Sequence, residues 1–166
     1  MVLTYVLAML IAYLGLITGV ILGMNSPEEM KPGKQWLTLL SSFLFGLFVG
    51  VIIAYFVIFP VTYIHYGLAI LAVMLVLARF VRAPRFVLYT LLAMTIALFI
   101  GHQSFFLVLA ALLFLYGLPE GSLIVEPYTE KKCLLRPWKT YLIDAWRQSW
   151  GYPFFVLIIT IFFMFM

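Results

Sequence analysis

Charged side chains are scarce in this sequence, at 10% of 166 residues, against about a quarter in ordinary globular domains. Hydrophobic residues reach 66%, and so much apolar surface cannot be hidden inside so small a body, because surface falls slowly with size. This excludes a soluble globular domain and implies an integral membrane protein, with lipid covering what the core cannot. The single cysteine, Cys133, excludes an internal disulfide. Aspartate occurs once, at Asp144, which removes the aspartate-rich metal motifs that lipid-linked transferases use to manage pyrophosphate with Mg²⁺. No basic region precedes the first apolar run, so that run is expected to stay as a span rather than be cleaved as a signal. The net charge of +4 encodes orientation in a membrane protein, and no nucleic-acid partner is expected.

What the sequence has is long apolar runs. Crossing about 30 Å of hydrocarbon takes roughly 20 helical residues. Segment 2–24 meets this and is followed by a polar, proline-broken loop, NSPEEMKPGKQ. Segment 36–59 is a second span, stopped by Pro60, and 61–81 a third, ending in ARFVRAPR. Residues 119–151 read as one long polar loop, and 153–166 as a short apolar tail whose helix begins nearer Trp150. From 86 to 118 the run is broken only by GHQS at 101–104.

Charge decides whether GHQS is a kink or a turn. With a turn there, Lys31, Lys34, Arg79, Arg82, Arg85, Lys131, Lys132, Arg136, Lys139 and Arg147 all share one face of the membrane. With a single helix, the last five cross over and the tally becomes even. Cytoplasmic loops are enriched in Lys and Arg, so the turn is expected. Length agrees, since a 33-residue helix would be about 50 Å long. The expected fold is therefore all-α and polytopic, with six membrane segments in a single transmembrane domain. The fourth and fifth form a short hairpin, and both termini lie outside. A re-entrant hairpin at 86–118 keeps the same tally. Glu28, Glu29, Glu120, Glu126, Glu130 and Asp144 also fall on the cytoplasmic face, which leaves the outer face without charge.

Small residues recur every four positions: Gly15, Gly19 and Gly23 in the first span, and Ser42, Gly46, Gly50 and Ala54 in the second. Residues four apart share a helix face, and small faces let backbones approach closely in lipid. These glycines are expected to pack the first hairpin internally. The alternatives are a homo-oligomer interface or a pore lining. Segment 137–150, PWKTYLIDAWRQSW, places Trp138, Tyr141, Leu142, Ala145, Trp146 and Trp150 on one face. It reads as an amphipathic helix in the membrane interface, anchored by Trp138, Trp146 and Trp150, with docking of a soluble partner as the alternative.

Chemistry is thin. Arg79 ends a span and is expected to snorkel to the surface, and the spans themselves carry almost no ionisable group. His65 and His102 both lie near the outer face but at different depths, which argues against a shared haem. Two histidines with no outer carboxylate do not make a zinc site, so no metal and no cofactor are expected. Ser104 beside His102 lacks the geometry of a nucleophile and base, and reads as a helix cap. Glu28, Glu29, Glu120 and Glu126 are the candidate catalytic carboxylates, with Arg82, Arg85 and Lys132 as phosphate or headgroup contacts. SPEE is equally a helix start, with Ser26 as cap, Pro27 at the first position and both glutamates on the positive end. The leading expectation is a small non-catalytic membrane protein: a subunit, scaffold or accessory factor whose partners are lipids and another membrane chain or copy. An enzyme acting on a lipid at the cytoplasmic leaflet and a passive conduit for lipid or small solute are the rivals.

Overall fold

The computed structural model describes residues 2–59, 63–81, 83–99, 101–130 and 138–150, together with Pro153, Val156 and Ile158. Among them the fold is all-helical: α1 (Val2–Asn25), α2 (Pro27–Ile58), α3 (Tyr63–Phe80), α4 (Arg85–Ala97), α5 (Gln103–Glu130) and α6 (Trp138–Ser149). Three of these, α1, α2 and α5, are long and apolar enough to cross a membrane. The apolar helices α3 and α4 are shorter.

The interrupted run at 86–118 is two helices. α4 ends at Ala97, and the amide of His102 closes the turn by donating to the Phe99 carbonyl at 2.8 Å. The chain then reverses, and ring pairs meet down the hairpin on either side of the turn. Phe99 lies 6.1 Å from Phe105, and Tyr89 lies 6.0 Å from Tyr116. Further on, Arg85 reaches Glu120.

Two polar segments expected to be loops are helical instead. α2 starts at Pro27 and runs through Pro32. Ser26 stands at its N-cap without a side-chain cap bond, and Glu28 and Glu29 lie in the first turn, where the helix dipole favours them. α5 continues through Pro119 to Glu130, so 119–130 is helix rather than loop. Proline removes a backbone bond there, but tertiary packing overrides propensity when both flanks are held. The flanking glycines, Gly117 and Gly121, are pressed against α1.

α5 is the hub, packed most extensively on α1 and α2. α1 lies parallel to it. A Cβ at Gly15 would strike the Phe114 carbonyl, and one at Gly19 the Leu118 carbonyl. A Cβ at Gly23 would come within 3.1 Å of Ser122 Cα. From the other side, a Cβ at Gly117 would lie 2.6 Å from the Leu16 nitrogen. Ser122 Oγ donates across the seam to the Gly19 carbonyl at 2.9 Å. The first-span glycines thus pack α5 rather than α2. Gly46 and Gly50 have open space around them among the described residues.

α2 runs antiparallel to α5, with Phe45 beside Tyr116 and Tyr55 beside Phe105. It is also antiparallel to α3, with Ser42 near Arg79 and Tyr55 near His65. α6 lies along α1 in the opposite sense. Leu142 meets Ile21 and Asn25 around a small cavity, and Ser149 shares a 2.8 Å hydrogen bond with the Tyr13 hydroxyl. The core gathers Met9, Leu16, Phe48, Ile52, Tyr55, Leu92, Ile96 and Phe99 around α5. Many large apolar side chains face outward, among them Phe43, Val57, Ile70 and Phe80. Exposure on that scale marks a surface that needs an apolar cover.

Candidate functional site

The two ends of the bundle differ in chemistry. At one end, the turn between α4 and α5 meets the end of α2 in a cluster of rings. Tyr55 stacks on Phe59 at 4.7 Å and on His65 at 5.2 Å, and meets the edges of His102, Phe99 and Phe105. Both imidazoles pack against this one tyrosine ring, a tightly filled aromatic core rather than a cavity.

At the other end, four helices converge on one carboxylate. Glu120 on α5 is only 4% exposed, and a carboxyl group buried this deeply requires partners. Its Oε1 accepts from Ser41 Oγ on α2 at 2.5 Å and from Arg79 Nη1 at 3.3 Å. Its Oε2 accepts from Arg85 Nε at 3.2 Å. Arg79, in the last turn of α3, also donates through Nη2 to Ser41 Oγ and Ser42 Oγ. Its guanidinium lies over the Phe45 ring at 5.9 Å. Arg85 opens α4 and donates through Nη1 to Gln148 Oε1 on α6 at 2.6 Å. The buried rings of Tyr89 and Tyr116 lie beneath this network, toward the bundle centre.

The placement follows from chain geometry. Arg85 and Glu120 are nearly equidistant from the α4–α5 turn, so an antiparallel hairpin sets them opposite each other. Ser41 and Ser42 on one side and Arg79 on the other flank the 60–62 connection in the same way. Arg79 is held from inside by the Glu120 carboxylate while about a third of its side chain stays exposed. The expectation that the bundle holds no ionisable group fails at Glu120, which had been read as part of a polar loop.

Beside the ion pairs, at the end of the bundle, is an open recess of about 680 Å³. Its polar lining is Thr38, Arg79, Arg85, Glu120, Arg147 and Gln148, and its apolar lining includes Ala83, Pro84, Leu88 and Leu123. Of the candidate headgroup contacts, Arg85 lines it, while Arg82 and Lys132 lie outside the described residues. Arg79 and Arg147 were not among the candidates. Glu28 and Glu29 do not join the site: they are exposed, and some 18 Å of helix separates them from Ser41. The side chains of Glu126 and Trp138 lie outside the described residues. Trp146 and Trp150 are exposed, and the edge of Trp146 rests on Tyr13. Among the described residues, no group of three or more His, Cys, Asp or Glu is placed to hold a metal ion.

Compared with known protein families, curated proteins and solved structures, the chain matches none.

Proposed function

We propose that this chain is a multi-pass membrane protein that works by binding and assembly, as a non-catalytic subunit, scaffold or accessory factor of a membrane complex. The observation that carries this reading is the occupied carboxylate. Both oxygens of Glu120 already accept from Ser41, Arg79 and Arg85, so it is engaged as the shared partner of two arginines rather than held free as a base. The other candidate acids, Glu28 and Glu29, stand far from it. A lipid-processing enzyme would need Glu120 released from two arginines at once. A conduit along the glycine faces is disfavoured too, because the α5 backbone fills the α1 face and the α2 face points outward.

In this reading the arginine end faces the cytoplasm and the aromatic end faces outside. The sorting of Lys and Arg supports this orientation, and the alternation of helix directions supports repeated crossing: α1, α3 and α5 run one way and α2 and α4 the other. α5, at 28 residues, is about 42 Å long and spans fully, whereas α4, at 13 residues, is about 20 Å and crosses where the bilayer thins. α6 rises along α1 and so supplies the inner part of the sixth crossing, with Trp146 and Trp150 toward lipid. The outward face of α2, carrying Gly46, Gly50, Phe43 and Leu47, is the surface for a second copy or a membrane partner.

Native mass spectrometry from nanodiscs formed directly from cell membranes tests the assembly. The expected result is a particle heavier than one 19.0 kDa chain plus lipid. A lone chain in every preparation contradicts it.

A further inference from the structure

We propose that the arginine recess is a binding site for the phosphate monoester headgroup of a membrane lipid. The inference rests on the reading of the chain as a membrane protein, but not on which side of the membrane the recess faces.

Charge comes first. Arg79, Arg85 and Arg147 line the recess with Glu120, so three guanidiniums against one carboxylate leave two net positive charges. A phosphate monoester carries about −1.5 to −2 at neutral pH, whereas a diester carries one charge, so the monoester matches the lining better. Glu120 holds Arg79 through Nη1 and Arg85 through Nε. The two arginine side chains remain 32% and 33% exposed and line the recess, and the five N–H donors of each guanidinium are not all taken by these contacts. Glu120 therefore fixes the two forks in place without covering them.

The backbone adds to this. α4 begins at the rim of the recess, where Ala83, Pro84 and Arg85 all line the wall. Its N-cap is Pro84, whose side chain has no acceptor, and no side-chain cap bond is made there. The first-turn amides of a helix and its dipole favour an anion at this position.

The shape selects a lipid over a free ion. α3 and α4 have 18 and 13 residues, about 27 and 20 Å of helix, whereas their neighbours α2 and α5 have 32 and 28, about 48 and 42 Å. The connection between the short helices therefore stops short of the neighbouring helix ends and leaves a notch. Thr38, Leu123 and Gln148 form the sides of that notch. A bilayer about 30 Å thick in its hydrocarbon is drawn in beside the short pair, which brings headgroups to the arginines. Beside Arg79, the exposed Leu77 and Phe80 of α3, with Val81 just after it, offer an apolar flank for acyl chains.

The test uses the full purified chain and native mass spectrometry. Four probes are titrated: phosphatidic acid (a monoester), phosphatidylglycerol and phosphatidylcholine (diesters), and inorganic phosphate. Phosphatidic acid is expected to be retained most strongly. Arg147→Gln, at an exposed position, is expected to weaken phosphatidic acid binding about tenfold or more, the loss of one charge-assisted contact. Arg85→Gln is expected to do the same, and Lys139→Gln, an exposed position that does not line the recess, to change nothing. The proposal is overturned if both diesters bind as tightly as the monoester. It is also overturned if Arg147→Gln binds like the parent, or if inorganic phosphate binds as tightly as the lipid. Detergent-dispersed lipid reaches the recess from either side, so an error in the cellular topology leaves this result intact. The assembly mass is a separate readout.

Discussion

Replacing Gly19 with alanine adds one methyl group where the α1 and α5 backbones are in direct contact. That methyl would collide with the Leu118 carbonyl oxygen and lie 2.9 Å from both the Leu118 carbonyl carbon and the Gly117 oxygen. Ordinary contact begins near 3.4 Å, and every atom it meets is backbone, so no side chain can rotate away. α1 and α5 must part by about half an ångström or more, and a gap of that size forfeits a quarter or more of the dispersion energy along the seam. The shift also strains the bond from Ser122 to the Gly19 carbonyl, worth about 0.6 kcal/mol in a membrane helix pair. Overpacking of this kind costs about 1–3 kcal/mol. Gly46→Ala is the matched control. It adds the same methyl on another apolar helix but into open space, so the better helix propensity of alanine should stabilise by about 0.5–1 kcal/mol. Reversible unfolding in bicelles by steric trapping measures both. Opposite signs are expected. Equal effects at the two positions would refute the claim that α1 packs on α5 through its glycine face while the α2 glycines face outward.

Glu120→Ala should destabilise by about 3 kcal/mol, the low end for a broken buried ion pair, because both arginine side chains are about a third exposed. A loss below about 1 kcal/mol in the same unfolding assay would show that the network does not hold the helices together. Tyr13→Phe removes the hydroxyl bonded to Ser149 and leaves the ring against Trp146, so it should cost about 0.5–1.5 kcal/mol. Its clearest readout is faster hydrogen exchange in α6, and unchanged exchange there would count against the docking of α6 on α1.

The all-helical fold and the reversal at 101–103 were legible because composition and charge sorting are strong signals in a membrane chain. The polar stretches were not. Proline and charge in NSPEEMKPGKQ and in PEGSLIVEPYTE read as loop, yet both are helical, since prolines are tolerated where neighbouring contacts hold the backbone. Missing that continuation hid the site, because it placed Glu120 in solvent instead of opposite Arg85. Counting outward from the turns would have paired Arg85 with Glu120 and Arg79 with Ser41. The glycine spacing identified a close-packing face on α1 but not its partner. The complementary Gly117 and Gly121 fall four apart across Pro119, where no helix was expected. The same spacing on α2 marks a face that none of the described residues covers.

The central claim is that the chain reverses near Gln103 on the outer side of the membrane, with its arginine end in the cytoplasm. Labelling intact cells with a membrane-impermeant maleimide tests it most directly, using Gln103→Cys and Ser26→Cys, both at exposed positions, in a Cys133→Ser background. Gln103→Cys should react in intact cells, and Ser26→Cys only after permeabilisation. The reverse pattern, or both sites reacting from the same side, would contradict it.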